Sequence, residues 1–371
     1  MKTGPKVSAL THEWEPVERG SSLDLAGSRL TVTGVTGPEL VRSRLPFTFQ
    51  DADSERAARF REKYGLTDAV SGGSSEVEQL KMLRDWVAEK VPFGRPEHHN
   101  VDPFYIMDRA AEGALHNCTF NSMVYLAALE SLGHTARKLS TCGHGTIEVW
   151  SNELAKWIVL DPSRRNCYTL ADETLSAQEV REQYLTDGGV SMHAVYGLDE
   201  RTEPVTLEKR EDGHLKYRQD GYEWVGYHVR NNFLEKVVDF EKDRFYIFRD
   251  RHNRDQVWMT SGKEGVPKVD QRYTLATLTD RLGDIYWSVN VTRVHLAPRT
   301  RRSLTVQLET MCPGFDAFLL ETDGGWKPTR AQFAWNLKRG PNTLTVRARN
   351  GMGILGPVAS VTVELARSAS T

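Results

Sequence analysis

Residues 142–162 contain two apolar segments on either side of a polar stretch, CGHGTIEVWSNELAKWIVLDP. Short apolar segments bounded by turn-forming residues are typical of buried strands, and four-residue loops are common in hairpins. The segment therefore predicts a β-hairpin with its turn at residues 151–154. The hairpin begins with a histidine and ends with an aspartate, two residues that are costly to place at the edge of an apolar core.

The position of the turn sets which residues of the two strands stand opposite each other. A turn at residues 151–154 pairs Trp150 with Ala155 and His144 with Asp161. Directly opposite side chains have Cβ atoms about 4.5–5.5 Å apart, which is close enough for a carboxylate to accept a hydrogen bond from an imidazole. The sequence predicts that Asp161 holds one nitrogen of His144 and leaves the other free to act as a base.

Four segments predict helices. They cover residues 75–91, 102–113, 119–132 and 176–185. The first and last begin with a serine followed three residues later by a glutamate, which is the capping-box pattern, and the second begins with Asp-Pro. The third has a broad apolar face and is followed by Gly133, a common helix end.

Cys118 immediately precedes the third predicted helix. A helix N-terminus favours the thiolate over the thiol and so lowers the pKa of a cysteine, and its N–H groups can stabilise a developing oxyanion. A thiolate beside an imidazole that a carboxylate orients is the arrangement of thiol acyl-transfer enzymes. We therefore predict that Cys118, His144 and Asp161 form one catalytic set.

Three motifs in this order resemble the transglutaminase-like superfamily. They read HNCTFNSMVYLAALESLGHTAR, HGTIEVW and KWIVLDPS, and the resemblance covers roughly residues 75 to 190. It implies a papain-like α+β fold in which a nucleophile helix packs on an antiparallel sheet. It also implies that Cys118 is the nucleophile, His144 the general base and Asp161 the acid that orients the base.

The sequence also offers candidates for substrate binding and for the oxyanion hole. The family usually has an aromatic residue two positions after the histidine, where this chain has Thr146. Thr146 and Trp150 are candidates for substrate binding. The residue that completes the oxyanion hole often lies upstream of the cysteine, and the candidates there are Tyr105, His116 and Asn117. The pair His98-His99 is predicted to lie in a solvated loop.

The resemblance implies attack of the Cys118 thiolate on an amide carbonyl of a peptide or protein, through a thioester. Hydrolysis (by a protease or a deamidase) and transamidation both stay open, because access to the site and water exclusion decide the acceptor. No metal or organic cofactor is expected, and no calcium loop is recognisable.

Two alternatives to the enzyme stay open. The fold could serve as an inactive transglutaminase-like binding module. The chain could also be a structural zinc protein, since His116, Cys118, Cys142 and His144 supply two thiols and two imidazoles, although their spacing is tighter than in most zinc sites. Cys142 also flanks the hairpin together with Cys167, which indicates packing or a disulfide between them.

The chain is expected to divide into three parts. Residues 1–70 are predicted to form a small β-containing region, residues 71–296 an α+β domain with a strand-rich extension, and residues 303–367 an all-β sandwich, with HLAPRTRRS as the linker. The extension contains the predicted strands YEWVGYHVRNNF, RFYIFRD, QVWMTS and DIYWSVNV. The last part resembles the immunoglobulin-like modules that are often appended to extracytoplasmic bacterial enzymes. The first residues carry no export signal, so the localisation stays open.

Composition excludes some classes of partner. The chain has 371 residues, 39% of them hydrophobic, and a net charge of −2, so no overall charge attracts it to nucleic acid or to an anionic membrane. No apolar run approaches the roughly 18–20 residues of a membrane span. The expected partner is a peptide or protein substrate, and the oligomeric state is left open.

Overall fold

A computed structural model describes residues 17–25, 29–141, 144–205, 208–209, 215–216, 222, 225–237, 244–249 and 276–366. Within them the fold is mixed α+β, and all but one of the strand pairings are antiparallel. None of the helices in this part of the chain is long and apolar enough to cross a membrane.

The helices are α1 (Glu55–Lys63), α2 (Leu66–Val70), α3 (Glu76–Lys90), α4 (Pro103–Ala111), α5 (Cys118–Ser131) and α6 (Ala177–Asp187). The strands are β1 (Ser22–Asp24), β2 (Arg29–Thr36), β3 (Ala136–Thr141), β4 (Gly145–Ser151), β5 (Lys156–Leu160), β6 (Asn166–Leu170), β7 (Glu173–Thr174), β8 (His193–Tyr196), β9 (Arg201–Pro204), β10 (Glu208–Lys209), β11 (Leu215–Lys216), β12 (Val225–His228), β13 (Phe245–Phe248), β14 (Ala276–Thr279), β15 (Thr292–Thr300), β16 (Ser303–Thr310), β17 (Phe315–Thr322), β18 (Gly325–Thr329), β19 (Gln332–Asn336), β20 (Gly340–Asn350) and β21 (Ala359–Leu365).

The chain folds into two compact units. One, here called the α+β unit, comprises residues 43–286, and the other, here called the β unit, comprises residues 1–42 together with residues 287–371. This division differs from the expected boundaries at residues 70 and 296–303. The expected N-terminal region is split between the two units, because β2 pairs with β21 at the other end of the chain.

The α+β unit is built on a six-stranded sheet in the order β14-β13-β12-β3-β4-β5. Helix α5 packs on β3 and β4 and also contacts α1, α3 and α4. Every residue from Phe120 to Ser131 is buried, which is what an apolar helix surrounded by other elements requires. The predicted nucleophile helix therefore lies at the centre of the unit, against an antiparallel part of the sheet.

The predicted helix starts are confirmed, since each cap is local in sequence. Asp102 and Asn117 cap α4 and α5 with their side chains, and Ser176 forms a complete capping box with Glu179 at α6. Helix α3 differs in one respect. Ser75 accepts the N–H of Glu78 as predicted, but the Glu78 carboxylate binds the N–H and hydroxyl of Ser74 instead of returning to Ser75.

The hairpin forms, but its register differs from the predicted one by two residues. Trp150 pairs with Trp157, where the prediction paired it with Ala155. The turn lies one residue later because Ala155 adopts a left-handed conformation, with φ of 51°. Ser151 remains in β4, and its hydroxyl accepts the N–H of Leu154. A shift of two residues keeps every side chain on its predicted face of the sheet.

Strands β12 and β13 lie in the segments YEWVGYHVRNNF and RFYIFRD, and β12 pairs with β3, so they extend the sheet of the hairpin. The predicted strand in DIYWSVNV is wrong. A short 3-10 helix at Leu282–Asp284 is followed by turns and bends, among them Asn290 with a φ of 58°, and the next strand, β15, begins at Thr292. The predicted strand QVWMTS lies outside the described residues.

The β unit contains two antiparallel sheets around one apolar core, in the orders β1-β2-β21-β20-β17-β18 and β15-β16-β19. The predicted linker HLAPRTRRS is wrong. Most of it belongs to β15, and its His295 is buried against Glu309 with a 2.8 Å contact. Pro298 is compatible with a strand there because β15 is an edge strand, and an edge strand does not need every N–H for pairing.

Candidate active site

Cys118 is the first residue of α5, one position further into the helix than predicted. The side chain of Asn117 caps the helix by accepting the N–H of Thr119 at 3.0 Å. This cap leaves the N–H of Cys118 in the first turn, where the N–H groups of a helix lack partners within the helix. The thiol is half-buried at this positive helix end.

His144 and Asp161 are brought together as predicted, although not as directly opposite residues. His144 immediately precedes β4, and Asp161 immediately follows β5. The Nε2 atom of His144 lies 2.5 Å from Oδ2 of Asp161, and both side chains are buried. The contact forms in spite of the shifted register because both residues lie beyond the ends of the paired strands.

The second carboxylate oxygen of Asp161 is held by the turn that follows it. Oδ1 accepts the N–H of Ser163 at 2.9 Å, the hydroxyl of Ser163 at 2.7 Å and the N–H of Arg164 at 3.2 Å. Burial by itself raises the pKa of Asp161, but the charge and hydrogen bond of His144, the hydrogen bond of Ser163 and the charge of Arg164 lower it overall. Asp161 is therefore a carboxylate, and the Nε2 atom of His144 is its donor.

His144 also lies close enough to Cys118 to lower the pKa of the thiol. Because Nε2 faces Asp161, the nitrogen left for the thiol is Nδ1. Burial raises the pKa of the Cys118 thiol, whereas the hydrogen bond and charge of His144, the N–H of Gly145 and the charge of Lys138 lower it, with a lowered pKa as the net result. The three predicted residues therefore form a connected Cys–His–Asp arrangement.

The other described cysteines have the opposite chemistry. Cys167 is buried in β6 with its sulfur 3.9 Å from the carbonyl oxygen of Val195, and burial raises its pKa. Burial also raises the pKa of Cys312 to about 12. Both are free thiols. Cys142, and with it the predicted pairing with Cys167, lies outside the described residues.

The three oxyanion candidates have different surroundings. Asn117 uses its side-chain oxygen to cap α5. His116 is fully buried, and its Nε2 lies 3.2 Å from Nε2 of His98. Tyr105 is partly exposed and its ring packs edge-on against His98. His98, predicted to lie in a solvated loop, instead packs against these two rings and Phe120.

The two candidates for substrate binding are both buried. Thr146 has no exposed surface and donates its hydroxyl to the carbonyl oxygen of Leu160 at 3.2 Å. Trp150 packs edge-on against Trp157, and its indole N–H binds Asn152. Trp150 also lies six residues along the strand from His144, which is about 20 Å at the rise of a β-strand. The structure gives both residues a role in the hairpin.

The sequence analysis missed the groups that surround the thiol from the sheet. The N–H of Gly145 helps to lower the pKa of Cys118, and its carbonyl oxygen accepts the hydroxyl of Ser122 at 2.9 Å. Lys138 of β3 and His228 of β12 are buried on the same side of the sheet. The pair of basic residues in the strand segment TARKLST was the sequence feature that could have indicated a buried cation here, but a charged residue in a strand more often faces solvent.

The residues of the zinc alternative are engaged differently. His144 contacts Asp161 and lowers the pKa of Cys118, while His116 lies against His98. Among the residues that the structure describes, no group of three or more His, Cys, Asp or Glu side chains is placed to hold a metal ion. Cys142, the fourth residue of that set, is not among them.

The arrangement can ionise a thiol, accept and return a proton, and keep the imidazole in one orientation. These are the functions that nucleophilic attack by sulfur on a carbonyl group requires. Comparison of the chain with family models, with curated proteins and with solved structures gave no match.

Proposed function

We propose that this protein is a thiol acyl-transfer enzyme that acts on amide groups of peptides or proteins. In this proposal the α+β unit is a papain-like core of the transglutaminase type, and the β unit is an immunoglobulin-like sandwich. The observation that carries the proposal is the position of His144, which contacts the buried carboxylate of Asp161 and lowers the pKa of the Cys118 thiol. A buried histidine with only a structural role does not require a thiol at a helix N-terminus as its neighbour.

The first half of the reaction forms a thioester. The Cys118 thiolate attacks the carbonyl carbon of the amide, and the electron pair of the C=O bond moves to oxygen. When that pair returns, the C–N bond breaks and His144 gives its Nδ1 proton to the leaving nitrogen, so that ammonia or an amine departs. Asp161 stabilises the imidazolium until the proton is transferred.

The second half regenerates the thiol. His144, now neutral, takes a proton from water or from an amine as either attacks the thioester, and Cys118 leaves as the thiolate. Water yields an acid and an amine yields a new amide. The N–H of Cys118 is suited to stabilise the negative oxygen in both halves, because it lies in the first turn of α5.

Alkylation of the full-length protein tests the nucleophile. We expect iodoacetamide to label Cys118 with an apparent pKa well below about 8.5, the value of an ordinary thiol. Replacing His144 by alanine should abolish the advantage of Cys118 over Cys167 and Cys312, whereas the same change at the exposed His193 should not. Peptide mass spectrometry after a pH series identifies the labelled cysteine.

A second measurement tests the acyl transfer itself. Hydroxylamine intercepts a thioester and converts it to a hydroxamate, so dimethylcasein incubated with the protein and hydroxylamine should accumulate hydroxamate. Cys118→Ala should yield none. If Cys118 titrates as an ordinary thiol, and its labelling does not change in His144→Ala, the proposed enzyme is wrong, and the binding module and the zinc protein are the interpretations that remain.

A further inference from the structure

Lys138 is a buried cation beside the candidate nucleophile. It lies in β3, between β12 and β4, and only 2% of its surface is exposed. Successive residues of a strand point to opposite faces, so Lys138 shares its face with Ala136. Ala136 belongs to the core that α5 forms with the sheet. The lysine side chain therefore lies between the sheet and α5.

The ammonium group of Lys138 lies close to Gly145. A Cβ atom added to Gly145 would lie 3.3 Å from Nζ of Lys138 and 3.5 Å from Oγ1 of Thr119. The N–H of the same glycine lies close enough to Cys118 to lower the pKa of its thiol. Glycine at this position thus lets the ammonium approach the peptide group that contacts the thiol, next to the first turn of α5.

Two sources of positive potential therefore meet at Cys118, the N-terminus of α5 and the ammonium of Lys138. A buried cation is costly, and a helix N-terminus beside it adds to that cost. A negative sulfur at the same place offsets both. The arrangement therefore favours the thiolate of Cys118 over its neutral thiol.

We propose that Lys138 is a positioning residue that acts through Cys118, because its buried ammonium beside Gly145 stabilises the thiolate and sets the pH at which the nucleophile forms. The inference rests on the proposed function for the role of Cys118. The step is the loss of the thiol proton to solvent while His144 is protonated. It makes the site more negative by one charge, so a nearby cation favours it.

Other titratable and charged groups lie near this site in the fold or in the sequence. They are His144 before β4, Asp161 and Arg164 after β5, His116 two residues before Cys118, and His228 of β12 with Arg230 two residues after it. Burial, with the charges of Lys138 and Arg230, places the pKa of His228 well below its usual value, and burial lowers that of His116. The lowered pKa values of both imidazoles oppose their protonation, so Lys138 is the cation that the test changes.

The test compares the pH dependence of Cys118 alkylation by iodoacetamide in full-length variants. We expect Lys138→Met to raise the apparent pKa of Cys118 by about one unit, which slows labelling at low pH about tenfold. Lys138→Arg keeps the charge and should stay within about 0.3 unit of the wild type. Lys81→Met removes a largely buried lysine from the same unit and should leave the pKa unchanged.

Lys138→Gln replaces the methionine variant if circular dichroism shows that the latter does not fold. Equal profiles for the wild type and the neutral variants, with a raised pKa in His144→Ala, overturn the role of Lys138 and leave the proposed function intact. A shift in Lys138→Arg as large as that in Lys138→Met also overturns it, because the loss would then be one of packing. An ordinary thiol pKa in the wild type overturns the proposed function and the inference together.

Discussion

Asp161 uses its two oxygens for different contacts, and the difference explains how a buried carboxylate stays charged. Oδ1 is held by the turn at Ser163 and Arg164, and Oδ2 faces His144. The lowered pKa of Asp161 also affects stability. Because the pKa is lower in the folded state, the stabilisation is present above the unfolded value of about 4 and is lost as the pH falls below it.

Asp161→Asn should raise the apparent pKa of Cys118 by about one to two units. The amide removes the negative charge that stabilises the imidazolium, and a hydrogen bond to a charged group contributes about 1.5–3 kcal/mol, with 1.36 kcal/mol for each pKa unit. The measurement is the pH profile of iodoacetamide labelling at Cys118.

Asp284→Asn is the matched control. Asp284 is equally buried in the α+β unit, and its pKa is also lowered, chiefly by a hydrogen bond from Arg44, but it does not contact His144. It should leave the thiol pKa unchanged. An unchanged profile in Asp161→Asn would show that the carboxylate does not orient the base.

At the scale of residues, sequence motifs were sufficient to predict that Cys118, His144 and Asp161 lie close together, because their spacing along the chain and the order of the strands place them there. The motifs were not sufficient to predict that Lys138 is buried. A lysine in a strand is buried or exposed according to which elements cover that face, and α5 covers this one. That depends on packing between segments that the sequence does not order in space.

The hairpin turn is the element in which local sequence was least informative. The Glu76 carboxylate of α3 accepts the hydroxyl of Ser151 at 3.1 Å, the side-chain amide of Asn152 at 2.7 Å and the N–H of Glu153 at 2.8 Å. A residue 75 positions away in the chain thus holds the loop. The left-handed Ala155 completes the turn, although alanine disfavours that conformation.

Ala155→Gly should therefore stabilise the protein by about 0.5–1 kcal/mol. Glycine removes the steric cost of a positive φ, which exceeds the entropy that glycine loses on folding. Denaturant unfolding of the full-length protein measures the change.

Ala58→Gly, in the interior of α1, is the matched control and should destabilise by about 1 kcal/mol. A destabilised Ala155→Gly variant would contradict the assigned turn conformation. The capped starts of α3, α4 and α6 were predicted correctly where the turn was not, because their caps bind within three residues of the same segment.

For the whole molecule, the pairing of β2 with β21 joins the two ends of the described chain in one unit. Val32 stands opposite Val363, and both are buried in the core of the β unit. The pairing separates β2 from its neighbours in sequence, which belong to the α+β unit from residue 43 onward. It also explains why the N-terminal region is not a domain of its own.

Val32→Ala and Val363→Ala should each destabilise β21 by about 2 kcal/mol, as expected for the loss of buried methyl groups. Together they should fall short of additivity by about 0.5 kcal/mol or more, because the two side chains contact each other. Native-state hydrogen exchange of the β21 amides provides the three free energies.

Val32 and Val346 are the control pair, since both are buried in the same core but are not paired with each other. Their effects should add within about 0.3–0.5 kcal/mol. If Val32→Ala leaves the exchange of β21 unchanged, the N-terminal strand does not belong to the β unit.

The sequence by itself determined the features that depend on neighbours along the chain: the helices and their caps, the apolar strands, and the order of cysteine, histidine and aspartate. The tertiary structure decided the hairpin register, the burial of Lys138 and the pairing of β2 with β21. Each of these depends on contacts between segments far apart in sequence, namely Glu76 with the turn, α5 with β3, and one end of the chain with the other. Local propensity and periodicity carry no information about which distant segment completes a surface, and packing supplies it.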